Sequence, residues 1–290
     1  MFIVDCKGRL EYSIPMFGFF LKKNFCDVWD NMFHLVILNL FLLACIAASV
    51  AFVIFSVYIP GPEEIKVLYQ IVAFFIACAL LGVLVFAEGE NAAKIADFGT
   101  PKLKDYFLNI VPSIKDGAAF GLFIGILTAV ATVSVPFYFR VWIPADGSEG
   151  SVIGLVLLMV VFWAVFITVM ALQWFLPIRS IMHNPFIKCL KKCYILFFDN
   201  AGFTFALFLS NIVRLIITCF TLGIIPSING ITLANTNALR LRLYKYDWIE
   251  VNPGLTKEQL KQVPWDELLQ NDKNTLGPRK LKSFFFPWKD

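Results

Sequence analysis

Apolar residues in this chain come in blocks rather than at a helical or strand period. Five hydrophobic runs are plain, at about residues 33–58, 65–87, 117–142, 151–178 and 201–222. At 1.5 Å rise per residue, each is long enough as a helix to cross a hydrocarbon core of roughly 30 Å. A sixth stretch, residues 224–243 (IIPSINGITLANTNALRLRL), carries Ser227, Asn229, Thr232, Asn235, Thr236 and Asn237, and hydropathy alone does not make it a span. Pro226 suits the first turn of a helix there, where a missing N–H costs nothing.

Positive charge bears on that sixth segment. With the N-terminus inside, the inward gaps hold Lys7, Arg9, Lys22 and Lys23, then Lys94, Lys102, Lys104 and Lys115, then Arg179, Lys188, Lys191 and Lys192. The outward gaps hold Lys66 and Arg140. Cytoplasmic loops carry the excess of Lys and Arg, so the N-terminus is read as cytoplasmic. Five spans would strand the Lys and Arg residues from Arg240 onward on the outside; six bring them back. The expected architecture is an all-α, polytopic transmembrane bundle of six spans over residues 1–245, followed by a cytoplasmic tail at 246–290.

An internal repeat groups the spans in pairs. Residues 21–31 (LKKNFCDVWDN) align without a gap on residues 190–200 (LKKCYILFFDN), and a weaker third copy ends at Asp116. The unit reads as an interfacial helix, an aspartate turn and a helical hairpin. Lys22, Lys23, Lys191 and Lys192, set among bulky apolar residues, are expected to reach lipid headgroups. Asp30, Asp116 and Asp199 are expected to cap the following helices, each for about 1 kcal/mol.

Composition agrees with a membrane chain. Hydrophobic residues are 59% and charged residues 16% of the 290, against about 45–50% and about 25% in soluble domains. The net charge of +4 lies in the gaps between runs and not along one stripe, which argues against nucleic acid as a partner. The seven cysteines fall in apolar runs or in cytoplasmic segments and are expected to be reduced. Residues 1–32 contain no signal-peptide pattern, so no cleavage is expected.

Chemistry is sparse. His34 and His183 are the two histidines, and neither sits in a zinc-binding pattern; His34 is expected to bond to its own turn near Asp30. His183 with Cys189 and Cys193 makes an incomplete metal set. No nucleophile elbow or phosphate-binding loop occurs. The expectation is no catalytic residue, no metal and no cofactor. Arg214, deep in the fifth span, needs partners because an isolated charge there costs several kcal/mol. Asn211 one turn earlier, Asn229 or Ser227 from the sixth segment, or Glu63 and Glu64 by snorkelling are the candidates, so Arg214, Asn211 and Asn229 form the candidate intramembrane polar site. The sixth segment should be buried in the bundle. Gly121, Gly125 and Ala129 suggest close helix contact, with a kink at Pro136. In the tail, Thr256 and Gln259 have capping-box spacing, a short helix is expected from Pro264, and SFFFPW at 283–288 is suited to a membrane surface or groove.

Trp29-Asp30-Asn31, the Leu-rich helix with Asn39, and the turn Ile225-Pro226-Ser227 together resemble the YesL-like family of small bacterial membrane proteins over about residues 15–245. The resemblance implies an accessory role beside a carbohydrate importer in the bacterial cytoplasmic membrane. Two functions are therefore expected for comparison: a non-enzymatic accessory or scaffold of a transport or envelope complex, and a small solute transporter or channel with a path among three hairpins.

Overall fold

A computed structural model describes residues 13–144, 149–256 and 259–277. The segment 283–288 lies outside them. Among the described residues every regular element is helical, so the all-α reading holds. The order is α1 (Ser13–Asp30), α2 (Met32–Phe55), α3 (Glu63–Ala96), α4 (Leu103–Trp142), α5 (Val152–Leu172), α6 (Phe175–Met182), α7 (Phe186–Asp199), α8 (Ala201–Phe220), α9 (Ser227–Val251), α10 (Trp265–Leu268) and α11 (Gln270–Leu276).

Five helical stretches are long and apolar enough to cross a membrane: Met32–Tyr58, Glu63–Ala96, Leu103–Trp142, Val152–Met182 and Ala201–Phe220. Their most apolar windows are only 6–33% buried inside the protein. Side chains such as Phe33, Phe55, Val133, Ile153 and Phe220 are left more than half exposed. Water would penalise that surface by about 25 cal/mol per Å², whereas lipid does not. The chain is an integral membrane protein with several spans. At 34 and 40 residues, α3 and α4 exceed the roughly 20 residues that a bilayer needs. α9 is also long enough, at 25 residues, but its polarity keeps it out of the apolar set. It is buried instead: Leu233, Thr236, Ala238 and Leu239 are fully covered, as a polar segment in a bundle must be.

The chain divides into two compact units. The larger, residues 31–236, is organised by the antiparallel pair α3 and α4, its most extensive helix contact. Three glycines let the backbones meet. A Cβ on Gly82 would stand 2.7 Å from the Gly121 Cα, one on Gly117 2.7 Å from the Val83 Cα, and one on Gly121 would collide with the Cys78 carbonyl. Small residues permit such an approach, and in lipid the gain is van der Waals packing. α4 continues as one helix through Pro112 and Pro136.

α5 and α6 are separated by a break at Gln173 and Trp174 that α8 holds in place. Trp174 is fully buried and its Nε1 donates to Thr204 Oγ1 at 3.1 Å, while Gln173 Oε1 accepts from Asn211 Nδ2 at 3.0 Å. Gln173 Nε2 turns back to the Met170 carbonyl at 3.2 Å. We expect Thr204→Val to lower stability by about 1–3 kcal/mol, because it leaves the buried Trp174 N–H without an acceptor, and Trp174→Phe to cost less, because the Thr204 hydroxyl keeps its bond to the Asn200 carbonyl at 3.0 Å; thermal unfolding in detergent measures both, and the double variant should cost less than the two single effects added. The α8–α9 turn is anchored by α2: Asn39, 1% exposed, donates from Nδ2 to the carbonyls of Ile224 at 2.6 Å and Pro226 at 3.2 Å.

The smaller unit joins the two ends of the described chain, residues 13–30 and 237–277. Thr256 and Gln259 form the capping box: the Thr256 N–H donates to Gln259 Oε1 at 2.9 Å and the Gln259 N–H to Thr256 Oγ1 at 3.4 Å. α10 begins directly after Pro264. The Arg242 guanidinium lies 5.7 Å over the Trp265 ring.

The aspartate caps are corrected. Asp30 and Asp199 are the last residues of α1 and α7, and the breaks fall one residue later at Asn31 (φ −111°, ψ 22°) and Asn200 (φ −127°, ψ 40°). Asp116 lies inside α4, with no turn at Gly117, because Gly117 is packed within the continuous α3–α4 contact.

Candidate functional site

Polar side chains gather at three places, two in the larger unit. The first is in the middle of α8. Arg214 Nη1 donates to Ser210 Oγ at 2.7 Å and to Asn211 Oδ1 at 3.3 Å. Asn211 in turn donates from Nδ2 to Gln173 Oε1 and, at 2.7 Å, to Asn235 Oδ1. A row of amides from the α5–α6 break, α8 and α9 thus ends on a guanidinium. Arg214 and Asn211 are brought together as expected, by their i, i+3 spacing. The α9 asparagine that reaches Asn211 is Asn235, further along the helix than Asn229, which is buried at 2% exposure. Such a row satisfies polar groups that lipid would leave bare.

The second place is a cavity of about 300 Å³ where α3, α4 and α6 converge. Its charged lining is Glu90, Asp116, Arg179 and His183, its neutral polar lining Asn109, Ser113 and Ser180, and Phe86 and Pro112 form an apolar wall. Arg179 places both Nε and Nη2 at 2.7 Å from one oxygen, Asp116 Oδ2. His183 Nδ1 stands 3.8 Å from Glu90 Oε1, too far for a hydrogen bond. Ser113 and Ser180 are 8% and 4% exposed. Gly89 brings α3 close to α6, since a Cβ there would meet Ser180 Oγ at 2.5 Å and Leu176 Cδ1 at 2.8 Å. His183 ends α6 in the left-handed region, with φ of 48°, which turns the chain back toward α7.

Sequence reading missed this cavity. From the sequence, Asp116 reads as a helix cap, Glu90 has no role, and Arg179 counts only as a topogenic charge. The one legible signal is the pair of acidic residues around a glycine in Glu88-Gly89-Glu90 at a span end.

The third place is in the smaller unit. Lys23 Nζ contacts Asp27 Oδ2 at 2.9 Å, and Asn237 Nδ2 donates to Asp27 Oδ2 and Asn24 Oδ1, both at 2.7 Å. Nearby, Tyr244 Oη donates to Asp272 Oδ1 at 3.1 Å, and Arg240 Nη2 stands 3.5 Å from the same oxygen. Burial pushes the Asp27 carboxyl up and the Lys23 ammonium down, and their mutual contact opposes both shifts. Lys23, at 1% exposure, is therefore not a headgroup contact, because its one-turn spacing to Asp27 points it into the unit. Lys22 is half-buried and donates to the Gly277 carbonyl at 3.3 Å. Lys191 is exposed and Lys192 half-buried on α7, alongside exposed Ile187, Ile195 and Phe198, the mixture of an interfacial helix.

Buried Cys189 and Cys193 have thiols pushed up by desolvation, and Cys189 Sγ donates to the Asn184 carbonyl at 3.2 Å. Among the described residues, no three His, Cys, Asp or Glu side chains are arranged to hold a metal ion. Among the described residues, His34 Nε2 is buried without a hydrogen-bond partner. The chain matches no protein-family profile, no curated protein and no solved structure.

Proposed function

We propose that this protein is a non-enzymatic accessory or scaffold component of a transport or envelope complex in the bacterial cytoplasmic membrane. In this reading α9 is the sixth span, the helix–Asn–helix segments repeat as hairpin units, and both termini are cytoplasmic. The observation that supports it best is the small unit itself. α1 and residues 237–277 are tied by Lys22 to Gly277 and by Asn237 to Asn24 and Asp27, so the tail is a structured module built from distant parts of the chain. A structured module offers a partner a preformed surface and spares it the ordering entropy of a free tail. The YesL-like resemblance points to a carbohydrate importer as that partner. Chemical crosslinking in membranes, then detergent purification and mass spectrometry, tests the reading. A stoichiometric membrane partner whose crosslinks map to α1 or α10 is expected, and a clean monomer counts against it.

A second reading, a solute path among the hairpins, draws on the row Gln173, Asn211, Asn235 and Arg214. Replacing Arg214 with Gln in a reconstituted uptake assay discriminates: an unchanged flux removes Arg214 from any path.

A further inference from the structure

We infer that the cavity between α3, α4 and α6 binds a small zwitterion, a molecule carrying a protonated amine and a phosphate or carboxylate separated by a short hydrocarbon link. The inference is independent of the accessory reading above. Its first support is unused bonding capacity. Arg179 directs two of its nitrogens at a single oxygen of Asp116, although a guanidinium has five N–H donors in a fork matched to two oxygens. Nη1 of Arg179 and Oδ1 of Asp116 are left to a ligand. Glu90 and His183 face each other across 3.8 Å, a gap that direct bonding does not close.

The second support is the pair of serines. Ser113 and Ser180 are more than nine-tenths buried as residues, and both line the cavity. A hydroxyl both donates and accepts, so each can bond a ligand oxygen or ammonium entering the cavity. Third, the charges exclude simpler ligands. A bare anion drawn to Arg179 meets Glu90 and Asp116, and a bare cation drawn to the carboxylates meets Arg179. A molecule with both signs matches all of them, its anion on Arg179 and the serines and its ammonium on Glu90 and Asp116. The volume of about 300 Å³ is at the lower end of ligand pockets, roughly 300–1,000 Å³, and Phe86 with Pro112 gives the hydrocarbon link an apolar wall.

Such a group occurs in free aminophosphates and amino acids and in the headgroup of an ethanolamine lipid. The test uses the full chain in an uncharged maltoside detergent, titrated calorimetrically with O-phosphoethanolamine, inorganic phosphate and ethylamine. Expected is saturable binding of O-phosphoethanolamine at least about tenfold tighter than of either half-molecule, weakened at least about tenfold by Glu90→Gln and by Arg179→Gln and less by Ser180→Ala. Should Arg179→Gln unfold, the half-exposed Glu90 and the Ser180 variant carry the comparison. A lipid source gives a different outcome that also supports the site: weak binding of the free compound, but native mass spectra in which phosphatidylethanolamine is retained over phosphatidylglycerol by the wild type and released by Glu90→Gln. The inference is overturned if neither the free zwitterion nor the ethanolamine lipid is preferred, or if Glu90→Gln and Arg179→Gln bind as the wild type does.

Discussion

Replacing Gly121 with Leu is expected to abolish the folded state of the larger unit at ordinary temperature, while Gly202→Ala in α8 leaves it intact or slightly more stable. A Cβ at Gly121 collides with the Cys78 carbonyl and lies 3.0 Å from the Ala79 Cα. These obstacles are backbone atoms and cannot swing aside as the end of a side chain can. Overpacking a core typically costs about 1–3 kcal/mol where side chains can adjust; here the α3–α4 axes must separate, and the cost should exceed that range. Gly202 has nothing within 4 Å of its Cβ position, so alanine there recovers helix propensity worth up to about 1 kcal/mol. Fluorescence-detected size exclusion after a heat ramp distinguishes the two. A Gly121→Leu protein that melts within a few degrees of the wild type would mean that the close glycine contact is not what holds α3 to α4.

The second large effect is expected at Lys23. Lys23→Met keeps the apolar stem and removes the charge that compensates Asp27, and breaking a buried pair on one side costs about 3–5 kcal/mol. The sign of its pH dependence follows from desolvation. With Lys23 gone, burial holds the Asp27 carboxyl above the value of about 3.9 for a free aspartate. A carboxyl raised in the folded state contributes stability below its unfolded pKa and loses it as pH rises through its folded pKa. The Lys23→Met deficit should therefore be largest at neutral pH and shrink as pH falls. Hydrogen exchange of the full chain, followed in α1, α10 and α11, reports it. Lys23→Met/Asp27→Leu should recover most of the loss at neutral pH, because no uncompensated charge stays buried. Equal protection in Lys23→Met and wild type at neutral pH would show the pair to be solvated.

The elements that could be read from the chain are those whose cause is local. Leu, Val, Ile and Phe in blocks of twenty or more leave lipid as the cheapest surrounding for any fold, and each of the five apolar runs has at least one end within two residues of the corresponding helical stretch. The end of α3 and the start of α4 illustrate the limit. Both helices run well past their apolar parts, because residues 88–96 and 103–116 satisfy their charges through pairs such as Lys94 with Asp105 at 2.9 Å, which no hydropathy window can foresee. The capping box at Thr256 and the helix after Pro264 were legible for the same reason as the apolar runs: both partners lie within a few positions.

The candidate sites divide along the same line. Arg214 with Asn211 was readable because both sit on one helix face a turn apart. Gln173 and Asn235 were not, since a break in α5 and the seating of α9 bring them in. The cavity was invisible because Glu90, Asp116 and Arg179 come from three helices. Each residue taken singly has an adequate local explanation, as surface charge, cap or topogenic cation. Lys22 and Lys23 show the matter most simply: adjacent, chemically identical and equally suited to headgroups, one is half-buried against a carbonyl and the other is sealed beside Asp27. By itself the sequence determined that this chain is helical and lives in a membrane, since apolar content and the obligatory pairing of backbone groups in lipid admit few alternatives. Only the tertiary structure decided which polar residues meet, because desolvated charges and amides take their partners from whatever the packing of distant helices sets within about 3 Å.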